Sequence, residues 1–161
     1  MTLRELNALA PSHADREFLR CCGSSRWAAA MTAARPFDSL GAMQIRAAAI
    51  WQSLDRQDWL EAFAAHPQIG DQGRASAWSA TEQAGMHSAD AAMKTRMARL
   101  NTEYESRFGY IFIVCATGKS SADMLSLLEE RLMHDAVTEL PIAAGEQRKI
   151  TALRLAKLVE A

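Results

Sequence analysis

The stretch from Gly109 to Ala116, Gly-Tyr-Ile-Phe-Ile-Val-Cys-Ala, decides the fold class because it is the one run with the residue types of a β-strand. It is short, it is bounded by Gly109 and Gly118, and no second run could pair with it. The sequence therefore predicts an extended segment near 111–116, threaded between helices. Its backbone polar groups still need partners, which a flat, amide-rich ligand could supply. An ordinary connection packed by apolar side chains is the commoner alternative.

Helical periodicity dominates the sequence before this segment. Apolar residues three and four apart predict one helix over about 40–54, and a second is expected over about 55–65. The pair His66-Pro67 should end the second helix, because the residue before proline is pushed out of the α region. The glycine-rich and polar residues 68–77 predict a loop.

A further helix is predicted between this loop and the extended segment. Ser79 should open it, and Glu82 three residues later would complete a capping box. The helix should break or re-cap within Gly85–Asp90 and then continue toward Arg107.

Two more helices are predicted downstream. Ser121 or its neighbour should cap the first, and the last should occupy about 136–159, with Pro141 inside it. Three leucines are expected on one face of the first: Leu125, Leu128 and Leu132. The predicted fold is all-α, a compact multi-helix bundle forming a single domain over residues 1–161.

The composition argues against several classes of protein. Lys plus Arg number 18 against 19 Asp plus Glu, so we expect neither nucleic acid nor a membrane surface as a partner. No apolar run approaches transmembrane length, and no secretory signal is expected. The cysteines, Cys21, Cys22 and Cys115, are odd in number and lack metal-type spacing, which indicates reduced thiols in a cytoplasmic protein.

Two short motifs could carry chemistry near the predicted loop. His66 at a helix C-terminus would be favoured as the imidazolium by about 0.3–1 kcal/mol, which suits a proton donor. A basic residue that merely caps the helix is the simpler interpretation. The run from Ser79 to Gln83 is either an ordinary capping box or a helix N-terminus that binds an anion. In the second case the Glu82 carboxylate could accept a hydroxyl proton.

Arg154 lies on an apolar face of the last helix, with Ile150 and Leu158 four residues to either side. An arginine there either pairs with a buried carboxylate or meets an anionic ligand, because an unpaired buried charge is very costly. The alternative is a side chain that reaches solvent along its aliphatic stem. We expect a partner. Cys115, in contrast, should be inert, because apolar surroundings raise the pKa of a thiol.

Together these motifs resemble one family, the 2-oxo-4-hydroxy-4-carboxy-5-ureidoimidazoline (OHCU) decarboxylases. The matching residues, in chain order, are His66-Pro67, Ile69-Gly70, Ser79-x-x-Glu82-Gln83-Ala84-Gly85, Asn101-x-x-Tyr104-x-x-Arg107-Phe108-Gly109-Tyr110-x-Phe112-Ile113-Val114-Cys115-Ala116, Arg131-Leu132, Glu139-Leu140 and Lys149-Ile150-x-x-Leu153-Arg154-Leu155. Each short motif is weak alone, whereas their order and spacing over nearly the whole chain are specific.

The resemblance implies a helical enzyme, usually a homodimer, that needs neither metal nor organic cofactor. Its small-molecule substrate would be OHCU, an intermediate of urate breakdown, and its products (S)-allantoin and carbon dioxide. The family's catalytic histidine matches His66, and its partner carboxylate matches Glu82. The substrate contacts carried over by motif are Pro67, Ser79, Ala80, Thr81, Glu82, Gln83, Phe112, Ile113, Val114, Cys115, Ala116 and Arg154.

Two other functions remain open from the residues alone. A non-catalytic helical small-molecule-binding or regulatory module would need the same pocket but would tolerate the loss of His66 and Glu82. A metal-dependent hydrolase could use His66, Asp71, Glu82 and His87, although these residues lack a recognised ligand spacing.

Overall fold

The computed structural model describes residues 1–69, 77–88 and 90–160. Within those ranges all regular secondary structure is helical and no residue forms a strand, so the all-α prediction is confirmed. The chain divides into two compact units. The first consists of Met1–Ala62 and Gln147–Ala161, and the second of Phe63–Glu146.

The first unit contains the N-terminal helices and the C-terminal part of the last helix. Its elements are α1 (Leu3–Ala8), α2 (Pro11–Cys21), α3 (Ser25–Ala34), α4 (Leu40–Ser53), most of α5 (Arg56–Ala64) and the end of α9 (Ala136–Leu158). Hydroxyl side chains cap three of these helices, as the N-terminal N–H groups of a helix require. The caps are Thr2 for α1, Ser24 for α3 and Ser39 for α4.

The core of the first unit is built on aromatic rings. Phe18 lies edge-on to Trp27 and to Phe37, with ring centroids 6.0 and 6.4 Å apart. The Trp27 indole N–H donates to the carbonyl oxygen of Ala47 over 3.1 Å, which ties α3 to α4. Full burial of a side chain such as Phe18 contributes about 1.5–3 kcal/mol, so these contacts are a main source of stability for the unit.

The second unit contains the last residues of α5 and the helices on either side of the extended segment. Its other elements are α6 (Ala77–Glu82), a 3₁₀ helix (Ala84–Ser88), α7 (Ala91–Phe108), α8 (Ser121–Arg131) and the first part of α9. The predicted break after α6 is confirmed, because the Asp90 side chain caps α7 by accepting from the Met93 N–H over 2.7 Å. Helix α7 ends at Gly109, whose φ of 83° is a conformation that glycine adopts without strain.

Several predicted boundaries agree with the observed ones to within a residue or two. Helix α4 covers Leu40–Ser53, and α5 ends at Ala64, just before His66-Pro67. Ser120, the neighbour of Ser121, caps α8 in a capping box with Asp123. The loop predicted over 68–77 falls mostly outside the described residues.

The prediction for the start of one helix was wrong. Ser79 does not open a helix but lies inside α6, where its carbonyl oxygen already accepts from the Gln83 N–H over 3.0 Å. Of the three leucines expected on one face of α8, Leu128 is buried, and Leu125 and Leu132 are half-buried. The buried residues of α8 also include Met124 and Arg131, so a buried arginine lies in a helix that the apolar pattern described by its leucines alone.

Aromatic rings from α7 and from the chain after it form the core of the second unit. The Tyr104 ring lies 4.6 Å from Phe108, 5.9 Å from Tyr110 and 5.5 Å from Phe112, measured between centroids. Phe63, at the end of α5, adds a ring 5.2 Å from Tyr110. This cluster fixes the start of the extended segment against α7.

Candidate functional site

The extended segment Phe112–Ala116 is buried along its whole length. Three side chains form hydrogen bonds with backbone groups of Ile113 and Cys115. Arg131 donates to the Ile113 carbonyl oxygen and Lys119 to that of Cys115, while a Glu146 carboxylate oxygen accepts from the Cys115 N–H over 3.2 Å. Residues two apart in an extended chain present their backbone groups at the same edge. One edge of the segment is therefore occupied by side chains of the protein.

The opposite edge carries the backbone groups of Val114. Among the described residues, none forms a hydrogen bond with the N–H or the C=O of Val114, although this residue is only 4% exposed. A buried donor and acceptor side by side are costly unless they are paired. This edge can pair with a ligand that offers an amide-like donor and acceptor. The observation favours the ligand-binding alternative over an ordinary connection.

A buried polar network supports the occupied edge. Glu139 has no exposed surface, and one of its carboxylate oxygens accepts from the Tyr104 hydroxyl and from Arg131 Nε, each over 2.6 Å. His134 Nδ1 lies 2.9 Å from the other oxygen. Burial is the main cause that raises the pKa of Tyr104 far above its ordinary value, so Tyr104 acts as a neutral donor.

Helical periodicity does not predict this network, because its members come from separate parts of the chain. A signal was nevertheless present. Arg131 follows Met124 and Leu128 on one face of α8, the same pattern of an arginine on an apolar stripe that singled out Arg154.

Glu82 lies at the end of α6 and is half-buried. Its charge acts on the Cys115 thiol, as do the charges of Lys119 and Glu146. Burial is the main cause that raises the pKa of this thiol; Lys119 opposes the shift, whereas Glu146 and Glu82 add to it. The structure thus brings Glu82 into the electrostatic neighbourhood of the extended segment. It also agrees with the prediction that the Cys115 thiol is inert.

Gly85 explains how α6 is held beside this segment. A Cβ atom on Gly85 would lie 2.1 Å from the carbonyl oxygen of Lys119, which is backbone and cannot rotate away. The 3₁₀ helix after α6 therefore approaches the turn after the segment closely, as only glycine allows. We therefore expect this contact to help position Glu82, three residues earlier.

His66 follows the end of α5 and is half-buried, and its N–H donates to the Phe63 carbonyl oxygen over 3.1 Å. The residues after it are held by α7. Asn101 donates to the Ile69 carbonyl oxygen, and Gln68 donates to Glu105, each over 3.1 Å. The segment that carries His66 and the segment after Phe108 are thus both anchored on α7. Convergence of His66 and Glu82 on one cavity stays a prediction.

Arg154 belongs to the first unit and is 8% exposed, so its side chain does not extend into solvent. Its guanidinium donates to the Arg20 carbonyl oxygen at the end of α2 over 3.3 Å. Cys21 and Cys22 lie in the same neighbourhood, where burial raises the pKa of each thiol to about 12 and the positive charge of Arg154 opposes the rise. The partner expected for Arg154 therefore includes the backbone carbonyl of Arg20.

The remaining predicted contact residues differ in their surroundings. Pro67 and Ser79 are buried, Gln83 is half-buried and Thr81 is exposed, while Ala80 lies in α6. In the described part of the chain, no three or more His, Cys, Asp or Glu side chains cluster as metal ligands. Asp71, one of the residues of the hydrolase alternative, lies outside the described residues. No described helix has both the length and the apolar character that a membrane crossing needs.

These features define a class: an all-helical protein with a buried extended segment, where no described residue pairs the backbone groups of Val114, in the electrostatic neighbourhood of a carboxylate. A sequence model of the family described as OHCU decarboxylase matches residues 7–156, so the chain belongs to that family. The resemblance inferred from the motifs is thereby confirmed.

Individual relatives agree with this family assignment. The chain is 39% identical to the uric acid degradation bifunctional protein TTL of Arabidopsis thaliana, over 89% of this chain and 47% of that protein. It is 31% identical to the 2-oxo-4-hydroxy-4-carboxy-5-ureidoimidazoline decarboxylase of Halalkalicoccus jeotgali, over 98% of this chain and 92% of that one. It therefore spans about half of the plant protein and nearly all of the archaeal one. A crystal structure of OHCU decarboxylase in the presence of (S)-allantoin matches with a TM-score of 0.80 and 40% identity, over 89% of this chain and 96% of the other.

Proposed function

We propose that this protein decarboxylates OHCU to (S)-allantoin and carbon dioxide during urate degradation. The observation that carries the proposal is the likeness, at 40% identity over 89% of the chain, to an OHCU decarboxylase solved in the presence of (S)-allantoin. The edge of the buried segment at Val114, which no described residue pairs, supports it, because the ring and the ureido group of allantoin are rich in amide donors and acceptors. The chain would work as a cytoplasmic homodimer, and one family model covering residues 7–156 supports a single functional domain.

The chemistry of the substrate supports a reaction without a metal or organic cofactor. Loss of carbon dioxide leaves an electron pair, which needs an acceptor. In OHCU the adjacent ring C=N bond takes this charge, so the molecule contains its own electron sink, the part that a cofactor otherwise supplies. The tasks left to the protein are orientation, stabilisation of the developing charge and delivery of one proton to one face.

We assign these tasks as the resemblance implies. Glu82 accepts from the substrate hydroxyl and anchors it, which its position near Cys115 supports. His66 polarises the reacting centre and protonates the resulting carbanion; acid–base help of this kind is worth about 10²–10⁴-fold. Arg154 holds an anionic or carbonyl oxygen. The backbone of Phe112–Ala116 binds the ureido and ring amides, and Pro67 and the Ser79–Gln83 run complete the contacts.

The test follows the product as it forms. OHCU is generated in situ from urate by the two upstream activities, oxidation and ring hydrolysis, with and without this protein, while carbon dioxide release and optical activity are recorded. The proposal predicts faster release and (S)-allantoin with the protein, against optically inactive product without it. A non-catalytic binding module would bind (S)-allantoin in a titration yet leave both traces unchanged, and that result would reject the proposal.

A further inference from the structure

We propose that Arg131 is a positioning residue, which together with Glu139 holds the backbone of Phe112–Ala116 in the register that binds substrate. This inference rests on the proposed function. Arg131 itself has 5% side-chain exposure and makes its contacts within the protein, so its effect on a ligand passes through the segment.

A single guanidinium group makes several contacts at once. Arg131 Nε pairs with Glu139 over 2.6 Å, another nitrogen donates to the Ile113 carbonyl oxygen, and the guanidinium carbon lies 4.6 Å from the Phe112 ring centroid. The planar, rigid fork of arginine allows these contacts together, whereas the single ammonium of lysine does not. Arg131 therefore fixes both the backbone and a side chain of the segment.

The orientation of Arg131 is in turn set by Glu139. This carboxylate contacts residues from three places in the chain: Arg131 at the end of α8, Tyr104 in α7, and His134 in the turn before α9. A buried ion pair is weak support for stability, because an apolar set of the same volume often serves a core as well or better. Here the charged pair orients the guanidinium group, so that one N–H of Arg131 points toward the Ile113 carbonyl oxygen.

That carbonyl determines where the neighbouring groups point. The backbone groups of consecutive residues in an extended chain face opposite edges. When Arg131 holds the Ile113 carbonyl at one edge, the N–H and C=O of Val114 are held at the other, the edge open among the described residues. Lys119 and Glu146 fix Cys115 in the same way. Loosening the Ile113 anchor would let the Val114 groups turn away from the substrate amides.

The test compares Arg131→Lys with Tyr104→Phe. Lysine keeps the positive charge beside Glu139 but loses the fork. Tyr104→Phe removes the hydroxyl that donates to the same carboxylate and that accepts a long hydrogen bond of 3.4 Å from Arg131. It keeps the ring against Phe112 and leaves the contacts of Arg131 with Glu139 and with the Ile113 carbonyl in place. Three quantities are measured: the Kd for (S)-allantoin by calorimetry, KM and kcat for in situ OHCU, and the hydrogen exchange rate of the Cys115 amide.

We expect Arg131→Lys to raise Kd and KM by about tenfold to a hundredfold, because displacement of a binding group by about 1 Å has effects of this size. Its kcat should change less, and its Cys115 amide should exchange faster. Tyr104→Phe should lower the Tm by about 2–4 °C, the shift that about 1 kcal/mol causes in a chain of this size, with Kd and KM unchanged. Equal Kd values for the wild type and Arg131→Lys would overturn the inference. So would a rise in Kd in Tyr104→Phe as large as that in Arg131→Lys.

A second variant covers the case in which Arg131→Lys does not fold. Glu139→Gln keeps the shape of the side chain and removes only its charge, so it should raise Kd in the same direction by a smaller factor; an unchanged Kd would reject the inference. The wild-type titration distinguishes a failure of the proposed function from a failure of the positioning role of Arg131. If the wild type neither binds (S)-allantoin nor releases carbon dioxide, the proposed function itself fails. If the wild type does both and the variants match it, only the positioning role fails.

Discussion

Substitution of Gly85 by alanine tests whether the approach of the 3₁₀ helix to Lys119 positions Glu82. The new Cβ would lie 2.1 Å from the Lys119 carbonyl oxygen, whereas ordinary contact begins at 3.4 Å, so the two backbones must move apart by more than an ångström. Overpacking of this kind typically costs about 1–3 kcal/mol of the free energy of unfolding. Because Glu82 lies three residues before Gly85, a shift of this size should also lower the decarboxylation rate by up to about a hundredfold.

Gly145→Ala supplies the matched control. Gly145 lies inside α9, and a Cβ there meets nothing within 4 Å. Alanine at this position should stabilise the protein by about 0.5–1 kcal/mol, since glycine is the poorer helix former, and should leave the rate unchanged. Stability is measured by urea unfolding and the rate by carbon dioxide release from in situ OHCU. A Gly85→Ala protein with wild-type stability and wild-type rate would show that this contact does not position Glu82.

Two further predictions concern titratable groups. Since burial raises the pKa of the Cys115 thiol, iodoacetamide should modify Cys115 in the native protein at pH 8 far more slowly than in urea. The rate of modification is measured by mass spectrometry of the labelled peptide, and equal rates in both states would contradict this prediction. In the folded state the pKa values of Asp123 and Asp135, both at helix starts, lie below their ordinary value of 3.8. The main cause is a hydrogen bond from a backbone N–H to each carboxylate, that of Ser120 for Asp123 and that of Thr138 for Asp135. A carboxylate whose pKa is lower in the folded than in the unfolded state stabilises the protein above the unfolded pKa, and this effect is lost as the pH falls through the folded pKa. The urea concentration at the unfolding midpoint should therefore decrease below about pH 4, and less steeply in Asp123→Asn than in the wild type. An identical pH dependence in that variant would count against this role of Asp123.

Local signals in the sequence predicted most of the helix boundaries. The pair His66-Pro67 fixes the end of α5 through sterics between adjacent residues, and Asp90 caps α7 through a bond that spans three residues. Such interactions depend on neighbours in the chain and can be read without the fold. The prediction for Ser79 was wrong because Ala77 and Trp78 allow a helix to begin earlier, and a serine is then tolerated inside it.

The candidate site could be predicted only in part, because much of it depends on long-range contacts. The resemblance supplied Glu82 and Phe112–Ala116, and the structure shows the charge of Glu82 acting near Cys115. Helical periodicity could not supply the network around Glu139, since Tyr104 lies 35 residues away along the chain. Similarly, the role of Gly85 depends on the backbone of Lys119, which the fold alone brings beside it.

In the proposed mechanism, His66 delivers the proton to one face of the carbanion that Glu82 helps to anchor. The most direct measurement is the enantiomeric composition of allantoin formed from in situ OHCU by the wild type and by His66→Asn, with thermal unfolding confirming that the variant folds. This mechanism predicts (S)-allantoin from the wild type and a nearly racemic product from a folded His66→Asn protein. Undiminished (S)-selectivity in that variant would contradict it.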